Sequence, residues 1–419
     1  MNIRWYLYWI QDFIHGSKVR EAYRDLVKND KHFDSEEQKE KIEHITSYAI
    51  KNCPYYNKCK NNIYDFPVVN KQIIKDNFNS IFVNKYDINK LHKMSTSGST
   101  GTPFEVYQNK EKRTRVLAEV IFFGKKANYT FGEKHMYSRI WVKSIQKSKL
   151  RKLLQNIETF DISKLTDKNI DKMLDEIKSK KVKCLLSYAS TLKQVSDYIT
   201  KVDYDNKTKL KSIISGSELL NEDVRKTLSK KLNCKVYSRY SNEENGLLGQ
   251  DTGDSSVFWL NETDYFFEFL ALDKDETAKP GELSRIVVTD LYNFAMPMIR
   301  YDTGDLCIYS EKNGKKYIEK IYGRRGDLIY NTNGEALSPY VLTNNMWGIK
   351  GVKQWKFIQK SKKNYQLLLN TNKNNNDREL TQKLKDILGK DARIEIKYVD
   401  EIPVLNSGKR KYIENLTYK

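Results

Sequence analysis

A chain of 419 residues is too long for one ordinary hydrophobic core, so its length predicts two or three domains. Hydrophobic residues make up 39% of it, which excludes an intrinsically disordered protein. The formal net charge is +20, but the lysines are scattered and no Arg-rich tract is present, so we expect no nucleic-acid partner and a basic surface suited to anionic small molecules or an acidic membrane face.

Residues 1–60 have the pattern of helices with one polar and one apolar side. The opening run rich in Trp, Tyr and Ile ends at Gln11, which is too early to span a bilayer. We therefore expect a cytoplasmic protein whose first helix docks on the body of the protein or makes peripheral contact with a membrane. The five cysteines are too few for a disulfide framework in a chain this long, which favours a reducing compartment. The oligomeric state is not predicted.

From residue 104 onward, helices alternate with short apolar strands, which predicts a mainly parallel α/β sheet. The predicted strands are 104–107, 182–188, 211–215 and 235–240, and the predicted helices are 109–126, 167–178, 192–199 and 222–232. After Phe258 the pattern changes to strands alone, at 265–270, 281–289 and 300–309, and predicts an antiparallel region packed beside the α/β part.

A cluster of Gly and Asn at 323–334 predicts a domain boundary. Three alternating strands and one amphipathic helix follow, which predicts a small α+β domain. The predicted division is a helical segment at 1–90, an ATP- and acyl-binding α/β core at 91–323, and a small C-terminal domain at 324–419.

Residues 95–103 read Ser-Thr-Ser-Gly-Ser-Thr-Gly-Thr-Pro, and their hydroxyl groups and glycine backbone could wrap a phosphate group. This is not a kinase-type P-loop, because no lysine follows Gly101. Such a run taken alone is more typical of a flexible loop. Further motifs follow in a set order: Ile214–Glu218 and Tyr237–Gly246 after successive strands, Tyr301–Asp305 at a third, then Gly323-Arg324 and Pro403–Lys409.

The ordered set resembles the adenylate-forming superfamily, which includes acyl-CoA synthetases, non-ribosomal-peptide adenylation domains and luciferases. Asn52–Tyr56 and Phe66–Lys71 are similar to N-terminal segments of its phenylacetate-CoA ligase-like branch, which includes the CapK-type proteins of capsule biosynthesis. The resemblance implies a large N-terminal α/β domain of the adenylate-forming type with an antiparallel β region, plus a small mobile α+β C-terminal domain.

The resemblance also implies an AMP-forming ligase. A carboxylate would attack the α-phosphate of ATP, with Mg²⁺ bound, to give an acyl-adenylate, and the acyl group would pass to an acceptor. CoA is the expected acceptor, and an amine or hydroxyl of a sugar in surface-polysaccharide biosynthesis is the alternative. An alternative of another class is a non-enzymatic adenylate-binding or basic RNA-binding protein.

The resemblance assigns roles to individual residues. The Ser/Thr/Gly loop would hold the phosphates, and Glu244 would help to hold Mg²⁺. Tyr240 would stack on adenine, opposite the backbone of the motif at 214–218, called the second motif below. Asp305 would accept hydrogen bonds from the ribose, Arg324 would hold the ribose or phosphate region, and Lys409 would bridge the carboxylate and the α-phosphate. The loop residues are Thr96, Ser97, Gly98, Ser99, Thr100 and Gly101, and the second motif contains Ser215, Gly216, Ser217 and Glu218.

Three positions depart from the family pattern. Glu243 replaces the usual Ser or Thr before Glu244, and adds a carboxylate that could bind the metal or face solvent. Gly326 replaces the aspartate that usually acts as the hinge. Asp302 lies where the branch often has a basic residue. Aromatic residues and an arginine within 121–141 could line the acyl pocket or belong to the core.

Overall fold

The structure is a computed structural model that describes residues 2–96, 104–141, 148–204, 208–325, 328–337, 342, 346, 351–371, 377–403 and 411–417. The chain divides into two compact units. The first contains residues 1–303 and 309–320, and the second contains residues 304–308 and 321–419.

The N-terminal part of the first unit is helical. It contains α1 (Ile3–Ile14), α2 (Lys18–Lys31), α3 (Ser35–Asn52), α4 (Lys71–Asp76) and α5 (Phe78–Ile81). The start of α3 is fixed by Asp34, whose side chain accepts the backbone N–H groups of Glu36 and Glu37. An antiparallel pair of strands and a long helix follow: β1 (His92–Thr96), β2 (Phe104–Gln108) and α6 (Lys110–Lys126).

The central part of the unit alternates strands and helices, as the sequence predicts. Its elements are β3 (His135–Arg139), α7 (Lys149–Gln155), β4 (Ile157–Asp161), α8 (Asp167–Ser179), β5 (Cys184–Tyr188), α9 (Ala189–Lys201), β6 (Ser212–Gly216), α10 (Glu222–Leu232) and β7 (Lys235–Asn242). These strands are parallel, in the order β7-β6-β5-β3-β4. On α8, residues spaced three or four apart are buried against the sheet at Ile170, Met173, Leu174 and Ile177.

The antiparallel strands extend the same sheet and do not form a separate layer beside it. They are β8 (Gly246–Asp251), β9 (Phe258–Leu260), β10 (Tyr265–Leu270), β11 (Leu283–Asp290), β12 (Tyr301–Lys312) and β13 (Lys315–Arg324). The eleven strands are ordered β10-β11-β12-β13-β9-β8-β7-β6-β5-β3-β4. The change of direction occurs because β7 turns back at residues 243–245 and pairs with β8 in antiparallel register.

The second unit has its own core. It contains β14 (Ile329–Tyr330), β15 (Ala336–Leu337), β16 (Val352–Gln359), β17 (Asn364–Thr371), α11 (Asp377–Leu388), β18 (Arg393–Tyr398) and β19 (Ile413–Asn415). Four of the strands form a sheet ordered β18-β17-β16-β19, and α11 buries Leu380, Leu384 and Leu388 in the same core. The predicted fold class, a large α/β part followed by a small α+β part, is confirmed, while the mobility of the small part stays a prediction.

Candidate active site

The base of the Ser/Thr/Gly loop is formed by β1 and β2, which pair so that Thr96 lies opposite Phe104. Residues Ser97 to Gly101 and the side chain of Thr96 lie outside the described part of the chain, so their contact with phosphate stays a prediction. Phe104 is 2% exposed, and its ring lies parallel to that of Tyr301, with 6.4 Å between centroids. The strand that follows the Ser/Thr/Gly loop in the sequence is therefore fixed in the core.

Glu244 lies in the turn between β7 and β8 and is only 3% exposed. Its Oε1 accepts a hydrogen bond of 3.0 Å from the Tyr301 hydroxyl and lies 2.5 Å from Nζ of Lys71. Lys71 Nζ also lies 5.6 Å from the centroid of the Phe104 ring. The structure thus brings a carboxylate, an ammonium group and a phenol together beside the base of the loop.

Lys71 owes its position to a pairing between distant segments. Val69 donates its N–H to the carbonyl of Arg300 at 3.0 Å and accepts the N–H of Asp302 at 2.8 Å, so it lies alongside the start of β12. Asn70 then begins α4 by accepting the N–H of Ile73 at 2.9 Å. Lys71 is not predicted as a site residue from the sequence, although its segment carries the resemblance to the branch.

The guanidinium group of Arg300 holds the segment that precedes Lys71. Its Nε lies 3.1 Å from both carboxylate oxygens of Glu268, and one terminal nitrogen donates to the carbonyl of Phe66 at 2.9 Å. Both partners of the ion pair are buried, so its geometry is protected from solvent.

We predict that Arg300→Met lowers the free energy of unfolding of the protein by about 3–5 kcal/mol, because Glu268 is left as an unpaired buried charge. Arg24→Met, at an exposed position on α2, is the matched control and should change stability by less than about 0.5 kcal/mol. Urea unfolding of the two variants measures the difference. Equal stability of the two variants would show that the Arg300 ion pair does not hold the segment.

A second buried network holds the backbone next to Glu244. The Tyr265 hydroxyl lies 2.8 Å from the carbonyl of Asn245, 2.9 Å from Oε1 of Glu119 and 2.8 Å from Nζ of Lys112. Oε2 of Glu119 accepts the N–H of Leu247 at 3.0 Å. Burial raises the pKa of Glu119 to about 8, despite the opposing charge of Lys112. The turn that carries Glu244 is therefore fixed by buried polar groups.

The predicted adenine-binding residues lie at the carboxyl ends of adjacent strands. Ser215 of β6 is paired with Ser238 of β7, so Tyr240 and Ser217 both follow that pair by two residues. Tyr240 is 7% exposed, and its hydroxyl donates to Oγ1 of Thr303 at 3.3 Å. Ser217 has a φ of +68°, which bends the chain sharply at the strand end.

Two other residues of the second motif have distinct surroundings. An added Cβ on Gly216 would meet no atom within 4 Å, so the backbone there borders open space. The Glu218 carboxylate accepts the N–H of Ser190 at 2.8 Å, in the first turn of α9. The side chain of Glu218 therefore supports a helix end, which leaves its backbone for the predicted contact with adenine.

The remaining predicted residues belong to the second unit or lie outside the described residues. Asp305 is a partly exposed residue of β12 in the stretch 304–308 of that unit, and Arg324 is the exposed last residue of β13. Lys409 and the hinge position Gly326 lie outside the described ranges. Their roles remain predictions.

The structure shows the surroundings of two of the three residues that depart from the family pattern. The side chain of Glu243 is exposed, in contrast to the adjacent Glu244. Asp302 accepts a hydrogen bond of 2.9 Å from Arg285 and is ion-paired with it. Phe122 and Phe123 belong to the core cluster that joins α1, α2 and α6.

The residues of the site fit a magnesium ion that is bound together with a nucleotide. Among the described residues, no cluster of three or more His, Cys, Asp or Glu side chains could hold a metal by itself. Magnesium bound with a nucleotide usually takes one or two carboxylates, with phosphates and waters completing its coordination. A single buried carboxylate at Glu244, beside the base of the loop, matches that arrangement.

Comparisons with known proteins agree with the motifs. Residues 329–416 match the family described as the CapK C-terminal domain. The chain is 24% identical to Protein CapK of Staphylococcus aureus over 90% of this chain and 88% of that protein. The resemblance to CapK-type proteins is therefore confirmed.

Solved structures show the same fold. A 2-hydroxyisobutyryl-CoA ligase in complex with R3-HIB-AMP has a TM-score of 0.70 at 13% identity, covering 90% of this chain and 88% of that one. The amide bond synthetase McbA of Marinactinospora thermotolerans has a TM-score of 0.56 at 13% identity, covering 76% and 67%. The chain therefore has the fold of adenylate-forming ligases.

Proposed function

We propose that the protein is an ATP-dependent, AMP-forming ligase that activates a carboxylic acid as an acyl-adenylate and transfers the acyl group to the thiol of CoA. The observation that carries the proposal is the convergence of Lys71, Glu244 and Tyr301 at the base of the Ser/Thr/Gly loop. Such a group of charges is suited to the departing pyrophosphate and the metal that accompanies it.

In this proposal, Glu244 holds Mg²⁺, which supplies positive charge to the phosphates. The loop from Thr96 to Gly101 donates hydroxyl and amide hydrogens to the β- and γ-phosphates. Lys71 is already held at the site by Glu244 and Phe104, and adds a further positive charge there. Tyr240 and the backbone of residues 215–218 bind adenine, and Asp305 and Arg324 bind the ribose region.

Two proteins of similar fold bear on the choice of acceptor. The similar 2-hydroxyisobutyryl enzyme is named as a CoA ligase, which supports a thiol acceptor. McbA shares the fold and is named as an amide bond synthetase, which supports the alternative of an amine on a sugar. The likeness to Protein CapK is compatible with either acceptor.

Pyrophosphate–ATP exchange with a panel of carboxylic acids tests the activation step. We expect exchange that depends on both the acid and Mg²⁺. Release of AMP on addition of CoA or of amino sugars then identifies the acceptor. If ATP binds but no acid across a broad panel supports exchange, the protein is a non-enzymatic adenylate-binding protein. Retention of RNA on a filter with a steep salt dependence would favour the RNA-binding alternative.

We further propose that α1 makes peripheral contact with an anionic membrane surface. Among the described residues, no helix combines the length and the apolar character that a membrane crossing requires. One side of α1 nevertheless exposes six large apolar side chains, each between 54% and 73% exposed, while Trp9 on the other side packs in the core. The net charge of +20 complements acidic lipids. The six residues are Ile3, Tyr6, Leu7, Ile10, Phe13 and Ile14.

We predict that the protein co-sediments with vesicles containing anionic lipid and that the double variant Leu7→Glu/Ile10→Glu lowers this binding at least about tenfold, because apolar burial in the interface is lost. Leu154→Glu on α7, where the wild-type leucine is 66% exposed, is the matched control and should leave binding unchanged. Absence of wild-type binding, or equal losses in both variants, would contradict a role for α1.

A further inference from the structure

The carboxyl ends of four parallel strands form a row of residues on one face of the sheet. Tyr188 of β5 is paired with Gly216 of β6. In β3 and β5, Tyr137 is paired with Leu186, so Arg139 lies beside Tyr188 two residues further along. In β6 and β7, Ser215 is paired with Ser238, so Arg239 lies beside Gly216 one residue further along. The row therefore reads Arg139, Tyr188, Gly216, Arg239.

This row lies on the face opposite α8, α9 and α10. Side chains alternate along a strand, and Leu185, Ile213 and Val236 pack with those helices. Leu186, Ile214 and Tyr237 lie on the other face, where they pack with Ala127 and Tyr129 after α6, and the row lies one pleat further toward the strand ends on that same face. Its members thus border the edge of the sheet where α/β proteins bind ligands.

The centre of the row is open. Gly216 has no side chain, and nothing lies within 4 Å of where its Cβ would be. Neighbouring strands lie about 4.8 Å apart, so the two arginine backbones are separated by roughly 14 Å, with the open position between them. Tyr188, the neighbouring member of the row, is buried.

The two arginines differ from the buried arginines of the first unit. Arg115, Arg225, Arg285 and Arg300 are all buried, and each forms an ion pair with Asp or Glu. Arg139 and Arg239 are partly exposed, and neither forms an ion pair with a carboxylate of the described residues.

Their nitrogen atoms are also only partly used. The Nε of Arg139 is buried without a hydrogen-bond partner among the described residues, and its guanidinium carbon lies 5.5 Å from the centroid of the Tyr137 ring. The Nε of Arg239 donates to Gln250 at 2.7 Å. A buried donor without a partner is costly, and a ligand oxygen would satisfy it.

Both arginines act electrostatically on the hydroxyl group of Tyr137. Burial raises the pKa of Tyr137, and the charges of Arg139, Glu243 and Arg239 all act on its hydroxyl. Although Arg239 as a whole residue is partly exposed, burial of its guanidinium group lowers its pKa to about 10, a shift that a nearby anion would oppose. Glu243 and Glu218 act on Tyr188, but the Glu218 carboxylate is bound to the N–H of Ser190.

We infer, on the basis of the proposed function, that the acid activated by this enzyme carries a second carboxylate, and that Arg139 and Arg239 bind it above the open position at Gly216. The carboxylate would accept hydrogen bonds from guanidinium groups, for which their planar fork of donors is suited. Tyr137 and Tyr188 would contact the carbon chain between the two carboxylates. The subsite thus selects dicarboxylic over monocarboxylic acids.

The test is acid-dependent pyrophosphate–ATP exchange with matched pairs of acids: succinate and butyrate, glutarate and pentanoate, phthalate and benzoate. We expect the wild-type enzyme to favour the dicarboxylic member of at least one pair by about a hundredfold in kcat/KM, a preference typical of paired charges in a desolvated site. Arg139→Gln and Arg239→Gln should each remove about tenfold or more of that preference, while the rate with the monocarboxylic member changes less than about threefold.

Arg24→Gln, at the exposed position on α2, serves as the matched control and should keep the wild-type preference. Circular dichroism and the KM for ATP check that the variants are folded and bind nucleotide normally. A wild-type preference for monocarboxylic acids would overturn the subsite but leave the proposed function intact. A raised KM for ATP with every acid would assign the two arginines to the nucleotide instead. If no acid of any kind supports exchange, the proposed function fails and the subsite fails with it.

Discussion

Lys409→Ala is expected to lower acid-dependent pyrophosphate–ATP exchange by about a thousandfold or more while the affinity for ATP changes little. The resemblance places this lysine between the attacking carboxylate and the α-phosphate, where two negatively charged groups must approach each other. Its charge matters most in the transition state, so its removal should lower kcat far more than it weakens nucleotide binding. Exchange rates and calorimetric titration with ATP measure the two effects separately.

Lys411→Ala provides the matched control for Lys409. Lys411 lies two residues further along the chain, and its Nζ is 3.1 Å from Oε1 of Glu414, an ion pair at the surface of the second unit. We expect Lys411→Ala to change exchange less than about threefold, because partly exposed ion pairs contribute little. Wild-type exchange in the Lys409 variant would show that the terminal Gly-Lys motif is wrongly assigned.

Glu244→Gln is expected to reduce exchange about a hundredfold and to raise the Mg²⁺ concentration needed for half-maximal rate. The substitution keeps the shape of the side chain but removes the charge that would hold the metal, and it leaves Lys71 without its counter-charge. A titration of exchange against Mg²⁺ measures both effects, and thermal unfolding in the absence of nucleotide reports whether the variant remains folded.

Glu243→Gln is the control that the chain itself offers for Glu244. The two glutamates are adjacent, but Glu243 is exposed, whereas Glu244 is 3% exposed and accepts a hydrogen bond from the Tyr301 hydroxyl. We expect Glu243→Gln to retain most of the exchange activity and the wild-type dependence on Mg²⁺. The reverse result, in which only Glu243→Gln raises the Mg²⁺ requirement, would move the metal ligand to the residue that departs from the family pattern.

Elements with a strong local pattern could be predicted closely. The helix predicted at 222–232 is α10, and the strand predicted at 265–270 is β10. In the helix, apolar residues recur with the period of about 3.6 residues per turn, and in the strand, turn residues mark both ends. Both signals lie within a few residues of sequence, so the bounds of these elements can be predicted locally. Strand β8 is missed because glycines at 246 and 249 interrupt its apolar pattern, and only its pairing with β7 and β9 makes it a strand.

The pairing between the parallel and antiparallel strands could not be predicted from the sequence. The sequence predicts the change from parallel to antiparallel strands near residue 258, whereas the structure places it at residues 243–245. The sequence also predicts an antiparallel region beside the sheet. The structure joins the two in a single sheet through the pairing of Tyr240 with Gly249. Which strand edge pairs with which depends on contacts between distant residues, and these leave no periodic signal in either strand.

The amino-acid sequence is sufficient to predict the class of the fold and the order of the motifs, because helix period, strand alternation and a glycine-rich loop are local properties. The contact between Lys71 and Glu244 cannot be read from the sequence, since it depends on the pairing of Val69 with Tyr301 in the folded chain. The same holds for Arg139 and Arg239, which are brought into one row by the register of four strands. Charges far apart in the chain come together only through packing, and the proposed dicarboxylate subsite depends on that packing.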